Sequence, residues 1–324
     1  MPNILKKLNS FTAMRVKYGS YAVIASGSSS VGSVAGYFMG GRDGSVARVD
    51  TIDKFAFPLD TRTTISSPLA LSSSVSASRG FANSGVAGYC AGGSTSSADV
   101  DNLDKFAFPS DTKSVVSGGI GTARSEVGSF ADSGVAGYVA GGGPATTEVS
   151  KYAFPADTRS TLGTGITSAT TGILGLANSG VAGYTLGGYS SGVLSRVDKF
   201  TFPGDSRTTL AIGLSSNRAD GAAMANNGVA GYYLGGLVIS DVDKFAFPSD
   251  TRTTLAIGLT AGSTNSAAFA NSGVFGYNGG GSLSSSYSAD TDKFAFPSDT
   301  RTAMPSFLSR AFWQHSAMSN QGTL

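Results

Sequence analysis

Short stretches of alternating apolar and polar residues recur along this chain, and nowhere do apolar residues take the spacing of an amphipathic helix. In "DKFAF", Asp243 to Phe247, the two phenylalanines occupy alternate positions and share a face. Lys244 and Ala246 take the other face, which the pattern assigns to solvent. Pro248 cannot donate to a ladder and ends the strand. "PSDT" then reads as a turn in which Asp250 can bond its own backbone. "TRTTL" resumes as a strand, and "RADGAAMANNG" is a strand of small residues. "NNG" is a turn tolerant of positive φ, and "VAGYYLGG" is the next strand. One unit therefore holds four strands.

The unit repeats. Lys-(Phe/Tyr)-x-Phe-Pro begins at Lys54, Lys105, Lys151, Lys199, Lys244 and Lys293, at intervals of 51, 46, 48, 45 and 49 residues. Val-(Ala/Phe)-Gly-Tyr begins at Val34, Val86, Val135, Val181, Val229 and Val274, in strict alternation with the first motif. A period of this size with four strands is that of a propeller blade. A β-solenoid is the competing architecture, disfavoured by the period and by the variable loops.

The order small-residue strand, "VAGYxxGG", loop, "VDKFAFPSDT", "RTTL" resembles the kelch repeat over about residues 20–324. The resemblance implies an all-β, six-bladed kelch-like propeller with four antiparallel strands per blade. The kelch tryptophan of the fourth strand is missing; Ile65, Leu162, Leu210 and Leu255 stand near its place, so packing between blades must rest on the Phe pairs and the tyrosines. Residues 1–19 lie outside the repeat and read as a docking arm or a disordered tail.

The chain begins and ends out of phase with the unit. "SRAFWQHSAMSNQG" aligns with the first strand of a unit and has no "VAGY" after it, whereas the first "VAGY" stands near the N-terminus. The expected closure pairs a C-terminal strand, about Phe312 to Ser319, with the first "VAGY" strand, which removes open edges. "YAVIASG", Tyr21 to Gly27, is the alternative closing or additional strand.

Length variation is confined. From each motif Lys to the next motif Val the distance is 32, 30, 30, 30 and 30 residues, whereas from each motif Tyr to the next Lys it ranges from 12 to 17. The variable loops therefore join second to third strands and share one face of the disc. The candidate ligand-binding residues on them are Arg42, Asp43, Asp99, Tyr189, Leu237 and Tyr287, with the two tyrosines as anchors. Unconstrained drift of the loops is the alternative. The other face is regular, with Asp60/Arg62, Asp111/Lys113, Asp157/Arg159, Asp205/Arg207, Asp250/Arg252 and Asp299/Arg301 read as turn caps and solvated or local pairs, or as a ring for a symmetric partner.

Composition narrows the function. Charged residues are 14% of the chain, the net charge is +2, and there is no long basic run, so nucleic acid is not an expected partner. No apolar stretch is long enough for a signal peptide or a membrane span. His315 and Cys90 are the single residues of their types, so a Ser-His-Asp triad or a usual zinc or copper site is not expected. Kelch-type oxidases need a copper site with two His and a Cys-linked Tyr, which this chain cannot make. The expectation is thus of no catalytic residues, no metal and no cofactor. Low-charge, Ser/Thr/Gly-rich kelch-like units resemble repeat proteins of tailed bacteriophages, cyanophages among them. That resemblance implies a non-catalytic virion protein, a tail fibre, receptor-binding or surface-decoration component. Its expected partners are other virion proteins, a host-surface receptor or a glycan. A lectin-like propeller and a cellular kelch-type scaffold are the alternatives.

Overall fold

The computed structural model describes residues 35–66 and 69–320. The expected arm at 1–19 and the segment Tyr21–Gly27 lie outside the described residues. All regular structure described is β, in six four-stranded antiparallel sheets and one two-stranded ribbon. The sheets follow one another around an axis as the blades of a six-bladed β-propeller. In the fifth blade, Ala222–Asn226 is innermost, followed outward by Ala230–Leu234, Val242–Ala246 and Thr251–Thr254.

The ring closes as the phase of the repeat required. Ser316–Ser319 pairs antiparallel with Ala35–Met39 and becomes the innermost strand of the first blade. Just before it, Phe312–Trp313 pairs with Arg42–Asp43 and ties the C-terminal segment to the first variable loop.

Blades join by a knob and a hole. The glycine of each "VAGY" faces a large apolar residue, Phe, Leu or Met, of the preceding blade's innermost strand. A Cβ on Gly231 would stand 2.7 Å from the Leu176 side chain, so only glycine admits that close approach. Beside this contact the motif aromatics form the expected wedge. Phe247 stacks on Tyr184 of the preceding blade, with centroids 5.5 Å apart, and the same pairing joins Phe108 to Tyr37 and Phe296 to Tyr232. Leu162, Leu210, Leu255 and Ile65 pack against the edges of these clusters.

The motif lysine departs from its expected place in solvent. Lys244 Nζ lies 2.5 Å from Asp299 Oδ2 of the next blade, and both side chains are mostly buried. The same aspartate accepts the Tyr232 hydroxyl at 2.8 Å. This Tyr–Lys–Asp set recurs at every blade junction. Lys54, Lys105, Lys151, Lys199 and Lys293 pair with Asp111, Asp157, Asp205, Asp250 and Asp60, the last joining sixth blade to first. The turn aspartates therefore link blades and are not merely caps of their own turns. Their φ values, 54° to 57°, place them in the left-handed region, the geometry from which each carboxylate reaches the preceding blade. Two of the accompanying arginines are neither solvated nor paired with the aspartate of their own turn: Arg207 and Arg301 donate to the carbonyls of Gly165 and Gly258, on the connections from the preceding blades, at 2.6 Å.

The two faces of the disc differ. On the regular face the "NSG" turns chain together, with Ser84 N donating to Ser133 Oγ, Ser133 N to Ser179 Oγ and Ser179 N to Asn227 Oδ1, each at 2.8 Å. Val86, Val135, Val181, Val229 and Val274 stand on these turns, each 40% to 50% exposed. The described chain enters the ring on this face at Ala35 and leaves it there at Asn320, whose N–H bonds the Ala35 carbonyl.

Candidate functional site

The opposite face is built on the double glycines. Gly235 and Gly236 take φ of 63° and 88°, and the Gly236 N–H donates to the Ser263 carbonyl of the next connection at 2.8 Å. This bond fixes where each variable loop starts, and positive φ at two successive residues is accessible mainly to glycine.

Inside the loops runs a second ring. Ala77, Glu126, Gly172, Asp220, Asn265 and Gln314 precede the innermost strands, all with φ between 52° and 58°. Glu126 N donates to Ala77 O at 2.8 Å, Asp220 N to Gly172 O at 3.1 Å and Gln314 N to Asn265 O at 2.9 Å. Ala77 N reaches Gln314 O, and Asn265 N reaches Asp220 O. The backbone is therefore uniform around the axis while the side chains differ. A left-handed conformation is uncommon for residues such as Glu and Gln, so it persists here because the surrounding bonds over-determine it.

Below this rim a cavity of about 30 Å³ lies among the innermost strands, lined by Arg79, Ser129, Ser266 and His315 among others. That volume suits a water molecule or two. Burial pushes the Asp220 carboxyl up to about 6, the Glu126 charge pushes the same way, and Arg79 opposes both. Burial and the charge of Arg79 hold His315 down at about 3, so its imidazole is neutral in ordinary buffers. Cys90 is buried, and burial raises its thiol to about 11, which leaves it protonated and unreactive.

Of the candidate residues, Arg42 and Tyr287 meet on one side chain. The Arg42 guanidinium lies 5.1 Å from the Trp313 ring centre, and Tyr287 stacks on the same indole at 5.1 Å with 8° between planes. Asp43 is beside them but already engaged, accepting from Ser45 N, Ser45 Oγ and Ala47 N, with Arg310 at 3.7 Å. These contacts hold the Asp43 carboxyl below the usual range. Asp99 bridges to Ser94, and its charge acts on Arg48, which donates to the Ser94 carbonyl at 2.8 Å. Tyr189 stands apart on the fourth blade, beside Gly172 and Asp220. Leu237, on the fifth, is 38% exposed with φ 52°, in a tight turn.

Sequence reading did not single out Trp313, Arg48, Glu126, Asp220 or Arg79 for this face. Trp313 had a signal: it sits in the aligned closing segment where Ser76, Ser125, Thr171 and Thr264 stand in other units. The carboxylates and Arg79 had none, because only the ring brings separate blades to one axis.

No family model and no curated protein matches the chain.

Proposed function

We propose that this chain is a non-catalytic adhesion or structural protein of a phage particle, a kelch-like propeller that holds other virion proteins by its regular face and recognises a host-surface receptor or glycan by its loop face. The observation that carries the reading is the opposition of the two faces. One has uniform turns and exposed valines. The other has loops of six different sequences on a rigid base. Loops on a rigid scaffold are where recognition concentrates. The kelch-like strings and the low-charge Ser/Thr/Gly texture support the phage assignment.

A lectin-like reading of the loop face draws support from the Arg42–Trp313–Tyr287 stack, since an aromatic plane with polar groups around it suits the apolar face of a sugar. The test is adsorption to host cells and binding on a glycan array. Variants are Trp313→Ala, Tyr287→Ala, and replacement of Tyr189–Val197 by the shorter Leu237–Val242 loop. Loss of attachment with an unchanged melting temperature is the expected result. Attachment that survives all three changes removes the loop face from consideration.

A further inference from the structure

The sixth blade contains a cavity of about 220 Å³ lined by Ser263, Asn278, Thr291, Asp290, Asp292 and Ala303 among others. In the fifth blade the corresponding space is filled by an arginine. The correspondence is fixed by register. Asp243 lies opposite Tyr233 and Thr254, as Asp292 lies opposite Asn278 and Ala303. Arg218 precedes left-handed Asp220 by two residues, as Ser263 precedes left-handed Asn265.

In the fifth blade Arg218 and Asp243 form an ion pair with both side chains 0% exposed. The guanidinium also donates to the Asp241 carbonyl at 3.1 Å and lies 4.9 Å from the Tyr233 ring centre. Thr254 Oγ1 donates to Asp243 at 2.7 Å. The sixth blade keeps the acids, Asp290 and Asp292, and replaces Arg218, Tyr233 and Thr254 by the smaller Ser263, Asn278 and Ala303. Asp292 retains the Thr260 N–H at 2.7 Å and the Thr260 hydroxyl, with Arg301 Nε at 3.7 Å. Ser263 Oγ and Asn278 Oδ1 are buried without a partner, in residues only 3% and 5% exposed. Buried polar atoms are ordinarily satisfied, so two orphans around one cavity mark a space shaped for a polar guest.

We propose that this cavity binds a guanidinium group, as the arginine side chain of a partner or as a small guanidine compound. Its wall offers two carboxylates and two unused oxygens, an acceptor-rich set that matches a planar group of five N–H donors and carries net negative charge. The volume exceeds one guanidinium and leaves room for its alkyl stem. The other blades fill this place themselves. Arg124 of the third blade bonds Glu148 and Ser150, Arg196 of the fourth bonds Thr170, and Phe312 and Val75 are buried at the first and second.

Calorimetric titration of the full chain with agmatine tests this, with 1,4-diaminobutane as an ammonium of similar reach and a Gly-Gly-Arg amide peptide to present the side chain in a chain context. The expected result is saturable one-to-one binding of agmatine, at least tenfold tighter than diaminobutane. Asp290→Asn, at the exposed lip, should weaken it several-fold. Ser263→Arg should abolish it by supplying the guanidinium from within. Tighter binding of the peptide than of agmatine points to a partner's arginine, and the reverse to a free guanidine. Absence of saturation at millimolar agmatine, equal binding of diaminobutane, or undiminished binding in Asp290→Asn and in folded Ser263→Arg would overturn the proposal. These readouts do not involve host attachment, so they stand apart from the function proposed above.

Discussion

Tyr232 and Asp299, on neighbouring blades and 67 residues apart, meet in a hydrogen bond of 2.8 Å, with the Lys244 ammonium closing the set on the other carboxylate oxygen. Repeated at all six junctions, this relationship makes every blade dependent on the next. Lys244→Ala leaves Asp299 mostly buried with one partner fewer. It should cost about 1–3 kcal/mol in urea denaturation, as for a buried polar group deprived of its partner. A cost typical of a surface site, under about 0.5 kcal/mol, would contradict the role assigned to the pair.

The same tyrosines set an alkaline limit. Burial first, then the hydrogen bond to the aspartate and its negative charge, raise Tyr232 and its five counterparts well above their ordinary value of 10.0. The folded state then holds protons that the unfolded chain releases. Stability is therefore full below the ordinary tyrosine value and falls as pH rises past about 10. Unfolding free energy measured from pH 8 to 11.5 should show this decline. Tyr232→Phe should cost about 1 kcal/mol at pH 8 and reduce the alkaline slope.

At the inner ring of left-handed residues the sign concerns a single acid. Asp220 is raised to about 6, so its ionised form is disfavoured in the folded state and its contribution worsens as pH rises from 4 through 6. Asp220→Asn should be near neutral at pH 4 and stabilising by about 1–2 kcal/mol at pH 7.5, the shift being discounted for partial exposure. A variant less stable than the parent at pH 7.5 would mean that the Asp220 charge holds Arg79 in place.

Phe247 is 9% exposed and wedged on Tyr184, so Phe247→Ala should cost about 3–5 kcal/mol, in the range for a buried aromatic. Chemical denaturation of the purified variant checks it.

Closure gives the remaining prediction. A chain ending at Ser309 loses Ser316–Ser319 and leaves Ala35–Met39 without its inner neighbour. Its thermal transition should be broad and early, with aggregation through the exposed edge. A sharp transition at the parent temperature would show that another segment can close the ring.

The number of blades, the order of strands within each and the place of closure were all legible in the sequence. Each of these is a local or periodic property: alternation at "DKFAF", a turn at "NSG", a unit begun at one end of the chain and completed at the other. The sequence also shows which face carries the variable loops, because strand order fixes which turns share a side. What Lys244 and Asp299 do emerges only when the blades are assembled. Alternation places a lysine opposite a phenylalanine and assigns it to water, but the next blade covers that surface, and its left-handed aspartate supplies the missing charge. Likewise, nothing local relates Glu126 to Asp220 or Arg42 to Tyr287 and Trp313. They come together because six similar wedges must meet at one axis and the chain's end must return to its beginning. The cavity of the sixth blade arises in the same way: Ser263, Asn278 and Ala303 are ordinary residues in sequence, and their small size leaves a space only where three strands and a connection converge.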